Sequence, residues 1–179
     1  VALRAALREA WPPQFSTSLA SGYNNRGTAL QGLGELAEAV ADYGRAIGIG
    51  EALQQHLGDD WLPTFRDDLA TAYRNRGNAL QGLGQITEAV ADYGRAIAIR
   101  EALRQDIGDD WTPTFRDGLA AAYGNRGNAL QDLGQITEAV ADYGRAIAIG
   151  EALGQDLGDD WTPTFRDGLA AAYGNRGSA

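Results

Sequence analysis

Carboxamides recur at a fixed interval along this chain. Asn25, Asn75, Asn125 and Asn175 stand fifty residues apart, Asn78 and Asn128 follow two of them after three residues, and Gln31, Gln81 and Gln131 lie beyond. A carboxamide both donates and accepts, so a ladder of them can pair with successive peptide groups of an extended ligand whatever its side chains. The competing use is internal, as bonds between neighbouring helices of the same fold. Two charged series keep the same interval: Arg26, Arg76, Arg126 and Arg176, and Asp42, Asp92 and Asp142. They match one to one, which predicts the ion pairs Arg26 with Asp42, Arg76 with Asp92 and Arg126 with Asp142. The link Gly58-Asp59-Asp60-Trp61 returns at 108–111 and 158–161. Its adjacent carboxylates invite a calcium reading, but calcium loops alternate their ligands and close with a further acid. Capping of a following helix is the simpler use.

Nothing else in the chain carries reaction chemistry. There is no cysteine, the single histidine, His56, stands where sibling units have Asp106 and Asp156, and the glycines sit singly rather than in a phosphate-cradling loop. No catalytic residue, metal or cofactor is therefore expected, and the chain reads as no enzyme. The balance of 15 Lys and Arg against 24 Asp and Glu, a net charge of −9, disfavours nucleic acid, whose affinity comes mainly from cations displacing counterions. No apolar run approaches the roughly 20 residues that cross a bilayer, so no membrane span is expected.

The elements that position these residues follow from the repeat. Trp recurs at 11, 61, 111 and 161, Phe at 15, 65, 115 and 165, and Tyr at 23, 73, 123 and 173 and again at 43, 93 and 143. Residues 51–100 and 101–150 agree at 41 of 50 positions. Units of 11–60, 61–110 and 111–160 follow, with 161–179 a partial unit and 1–10 the end of a preceding one; the whole reads as one array over 1–179, a window from a longer one.

Within a unit, Phe65, Leu69, Tyr73, Leu80 and Leu83 share one helical face, and Ile86, Val90, Tyr93, Ile97, Leu103 and Ile107 share another. This predicts helices over about 63–82 and 86–107, ended by Gly84 and Gly108 in the left-handed conformation. Gly27, Gly77 and Gly127, and Gly44, Gly94 and Gly144, each cost about 1 kcal/mol inside a helix; close helix approach is the expected reason for both series. A lone helix pair cannot bury its apolar faces, so the fold class is all-α, a right-handed α-solenoid of about 3.5 stacked antiparallel pairs.

The run Tyr73-Arg74-Asn75-Arg76-Gly77-Asn78-Ala79-Leu80, then Leu83-Gly84, Glu88-Ala89-Val90, Asp92-Tyr93 and Ala96-Ile97, resembles a tetratricopeptide repeat. Two departures stand out: a unit of fifty residues where about 34 is usual, and Glu51, Glu101 and Glu151 in place of the proline after the second helix. The resemblance implies a protein-interaction module whose first helices line a concave groove, which places the Asn and Gln series where a peptide would bind. It also implies partly buried ground for Arg26, Arg76 and Arg126, where the family often has Leu, so that pairing with the aspartates becomes obligatory. The partner is thus expected to be a protein or peptide of unknown identity. The second reading is self-assembly, a homo-oligomer stacked head to tail through uncapped solenoid ends. The absence of Cys fits a cytoplasmic setting.

Overall fold

The computed structural model describes residues 13–58 and 61–179. The expected end of a preceding unit at 1–10, Trp11 and the pair Asp59 and Asp60 lie outside the described residues. Among the described residues the chain forms seven α-helices and no strand: α1 (Pro13–Gly32), α2 (Leu36–Leu57), α3 (Pro63–Gly82), α4 (Ile86–Ile107), α5 (Pro113–Asp132), α6 (Ile136–Leu157) and α7 (Pro163–Ser178). No described helix is long and apolar enough to cross a membrane. Each helix packs on the next, and α1–α3, α3–α5 and α5–α7 also touch. The odd-numbered helices thus form a continuous layer with the even-numbered ones behind it.

Local chemistry sets the punctuation. Gly34, Gly84 and Gly134 have φ of 81°, 76° and 75°, where a Cβ would be strained. At the end of α3, Gln85 N–H donates to Leu80 O and Gly84 N–H to Gln81 O, each at 2.9 Å, so the final carbonyls are satisfied within a tight link. Leu83 falls past the last full turn and is exposed, not part of the buried stripe its spacing suggests. Neither Asp110 nor Asp160 caps the helix that follows. Asp110 and Asp160 lie in short 3-10 turns, and the extended residues that follow place Thr112 at the helix boundary, where its hydroxyl accepts from Phe115 N–H at 3.3 Å. Leu62, at the same register before α3, has no oxygen to offer.

The two glycine series turn out to differ. A Cβ on Gly77 would lie 2.6 Å from Cε1 of Tyr93, and Gly27 and Gly127 meet Tyr43 and Tyr143 in the same way. Glycine there lets the aromatic ring of the second helix lie on the backbone of the first. At Gly94 the nearest atom, Nη1 of Arg126, would be 3.8 Å away, and at Gly144 nothing lies within 4 Å. Close approach therefore explains the first series and not the second, for which nothing in the structure supplies a reason.

Tyr43, Tyr93 and Tyr143 are almost wholly buried, and Tyr73 and Tyr123 nearly so. Burial pushes the hydroxyl of Tyr93 well up, and it raises that of Tyr73, with help from its bond to Glu51, from the ordinary 10 to about 12. The unfolded chain then loses these protons first as pH rises. Stability should be intact below pH 10 and fall steadily between 10 and 12; a fold that keeps its urea midpoint across that window would refute the buried hydroxyls. Gly127→Ala should destabilise by about 1–2 kcal/mol through the Tyr143 ring, whereas Gly144→Ala should stabilise by up to about 1 kcal/mol. Urea unfolding of the two variants reads both signs.

Candidate functional site

The carboxamide series forms a relay that links repeats. The Tyr93 hydroxyl donates to Asn78 Oδ1 (2.8 Å), with Gln81 Oε1 3.1 Å away. The same Asn78 oxygen accepts Asn125 Nδ2–H from the next unit at 2.9 Å, so both its lone pairs are engaged. One unit on, Asn128 Oδ1 takes Tyr143 at 2.8 Å and Asn175 at 2.9 Å, and Gln131 Oε1 lies 2.9 Å from the same hydroxyl. In the first unit, Thr28 stands at the Asn78 register and donates its hydroxyl to Asn24 O. Tyr43 reaches Thr28 and Gln31, and Asn75 bonds Asn24 Oδ1 instead, at 3.1 Å. Asn25 is exposed. The internal use of these residues is thus extensive, and what remains open is chiefly the Asn25 amide and the oxygens of Asn125 and Asn175.

The arginine and aspartate series meet within each unit. Arg76 clasps Asp92 through Nε at 2.6 Å and Nη2 at 2.7 Å, and Arg126 clasps Asp142 at 2.6 and 2.9 Å. Arg26 holds Asp42 in the same fork, and Arg45 joins them. Donation from Arg26 holds the Asp42 carboxyl below the usual carboxylate range. The aspartates are buried while the guanidiniums reach the edge and lie over tyrosine faces, Arg76 over Tyr73 at 5.6 Å and Arg126 over Tyr123 at 5.6 Å. Those tyrosines donate across the repeat boundary, Tyr73 to Glu51 at 2.6 Å and Tyr123 to Glu101 at 3.1 Å. The glutamates that replace the expected proline are therefore acceptors that tie one unit to the next. Trp61 is buried, and Trp111 and Trp161 are half-buried, Trp161 above Gly154, so these three tryptophans pack against the helices and form no exposed stripe.

Two clefts open in the odd-helix layer. The one between α1 and α3, about 120 Å³, is lined by Asn24, Asn25 and Asp68 over a floor of Ala46, Gly50 and Leu69. The one between α5 and α7, about 190 Å³, is lined by Asp117, Asn125 and Asn175 over Ala146, Gly150 and Leu169. Between α3 and α5 the corresponding space is filled by Arg100, which is 1% exposed. Arg74, beside it, donates weakly to Asn75 Oδ1 at 3.4 Å and keeps an enclosed Nε–H without a partner; desolvation, with the neighbouring Arg100 cation, pushes its pKa down. These residues have no place in the periodic reading because they break the period. Arg100 stands where Gly50 and Gly150 do, Arg74 where Gly124 and Gly174 do, and Asp68 where Gly118 and Gly168 do. The signal was available as the short set of positions at which near-identical units differ.

Two family models, both described as Tetratricopeptide repeat, match the chain, one over residues 19–53 and 69–105 and the other over 120–151. No curated protein is similar enough to match. The matched segments fall on the helix pairs α1–α2, α3–α4 and α5–α6. Tetratricopeptide repeats are in general protein–protein interaction modules and a non-catalytic scaffold family. With more than half of its residues matched and its helices stacked pair upon pair, the chain belongs to the tetratricopeptide repeat family.

Proposed function

We propose that this array holds an extended segment of a protein partner along the layer formed by α1, α3, α5 and α7. Asn25, Asn125 and Asn175, with the remaining N–H of Asn75, read the segment's peptide groups, and the two clefts take its side chains. The observation that carries this reading is that both clefts pair an apolar floor of Ala, Gly and Leu with carboxamides at the rim. That is the composition of a peptide site: area from the floor, orientation from a few polar groups. Asn78, Asn128, Gln31, Gln81 and Gln131 support the reading indirectly, since their bonds to buried tyrosines fix the helices that carry the rim. The role in this reading is recognition without chemistry.

Affinity capture from lysate with mass spectrometry, comparing the natural chain with the N25A/N75A/N125A variant, tests the proposal. Loss of about 1 kcal/mol per hydrogen bond would weaken capture by roughly two orders of magnitude in total. Because Asn75 and Asn125 also bond to neighbouring units, the single N25A variant, which removes no hydrogen bond among the described residues, should weaken capture alone with the melting temperature unchanged. Equal recovery of a partner by all three forms would refute the carboxamide reading. Recovery of nothing but further copies of this chain would move the function to the helical ends.

A further inference from the structure

Arg100 shows what one of these clefts accepts. Its side chain leaves α4 and runs between α3 and α5, where Nε donates to Asp67 Oδ1 at 2.7 Å, Nη2 to Thr71 Oγ1 at 2.8 Å and Nη1 to the Gly118 carbonyl at 3.2 Å. The guanidinium fits because residue 118 is glycine: a Cβ there would lie 2.9 Å from Cζ of Arg100. One repeat further on, two of the three partners recur without the plug, Ala121 standing where Thr71 does. Asp117 stands at the register of Asp67, Gly168 at that of Gly118, and Gly150 replaces Arg100 on the floor. The result is the open cleft between α5 and α7. Asp117 is half-buried, and among the described residues no cation comes within ion-pairing distance of it. Its Oδ1 is 3.7 Å from where a Cβ on Gly168 would be, so it sits at the cleft wall that faces Gly168.

We infer that the α5–α7 cleft binds an arginine side chain of the partner segment, with its guanidinium on Asp117 and the Gly168 carbonyl, in the position Arg100 occupies one repeat earlier. A half-buried carboxylate with no cation in direct contact is costly, and a planar fork of donors satisfies carboxylate and carbonyl together. Burial pushes Asp117 up, against the pull of Arg74 and Arg100, in keeping with a carboxylate short of a cation. The net charge of −9 favours approach of a basic segment. The cleft between α1 and α3 is not equivalent, because Thr17 stands at the Asp67 register and Asp68 where a glycine is needed to leave room for the guanidinium. This inference rests on the proposed groove and names one side chain of its occupant.

The test uses a capped pentapeptide of alanines with a central arginine, titrated into the nitrogen-labelled chain and followed by amide resonances. Shifts should concentrate at Asp117, Asn125 and Gly168. Replacing the arginine by citrulline, which keeps the shape and removes the charge, should weaken binding by about tenfold or more, and so should D117N. G150R should place the chain's own guanidinium in the cleft, abolish the shifts and raise the melting temperature. R100G should open the α3–α5 cleft and add a second set of shifts at Asp67 and Gly118. Equal binding of the citrulline peptide, or binding undiminished in both D117N and G150R, overturns the inference. Partner capture separates it from the groove itself: loss in N25A with none in G150R would sink the arginine site and leave the groove standing.

Discussion

The ring of Tyr93 lying on the backbone of Gly77 is the contact from which the rest of the architecture follows. It sets how closely α3 and α4 approach, and it drives a hydroxyl into ground where it must find a partner. Asn78 and Gln81 are the groups within reach, one turn along the facing helix. Because a carboxamide oxygen has two lone pairs, Asn78 also accepts from Asn125 of the next unit. One packing contact thus fixes the distance within a pair, then the rotamer of a polar side chain, then the register between pairs. Tyr143 with Gly127, Asn128 and Asn175 repeats the sequence of causes.

A second consequence of strict repetition is that every departure has a recognisable place. The tyrosine–glutamate bonds at the unit boundaries and the arginine–aspartate forks within the units recur almost unchanged. Several of the differences gather at the odd-helix layer, where Thr71, Arg74 and Arg100, the last reaching in from α4, cluster at the α3–α5 boundary and Asp68 faces the cleft before it. Framework positions are held by mutual packing and cannot drift singly. Cleft positions face space, so a glycine can become an arginine if the opposite wall is glycine as well, as Arg100 and Gly118 show. His56 and Ser16 tell a similar story on the other side: where later units pair Arg66 with Asp106 and Arg116 with Asp156, both members are replaced together in the first unit.

The fold was largely legible in the residues, because helical spacing and glycine punctuation are local properties. The bounds of α3 and α4 follow from the stripes around Tyr73 and Tyr93 and from Gly84 and Gly108. What spacing could not reveal was anything that depends on a neighbour across space. Asp110 looks like a cap until a 3-10 turn and two extended residues carry the boundary to Thr112. Gly94 looks like Gly77 until one sees that only the latter has an aromatic ring above it. The carboxamides read equally well as ligand contacts or as inter-helix bonds; the structure shows how many of their atoms are engaged internally. Arg100 is one of the positions at which near-identical units differ, and only the stacking of α3 on α5 gives it a meaning.

The most direct test of the account is a structure of the array with its captured partner segment. The expected result is an extended chain running over α1, α3, α5 and α7, in contact with Asn25 and with a side chain seated over Gly150. A partner held on the even-numbered helices, or against α7 alone with both clefts open, would contradict it.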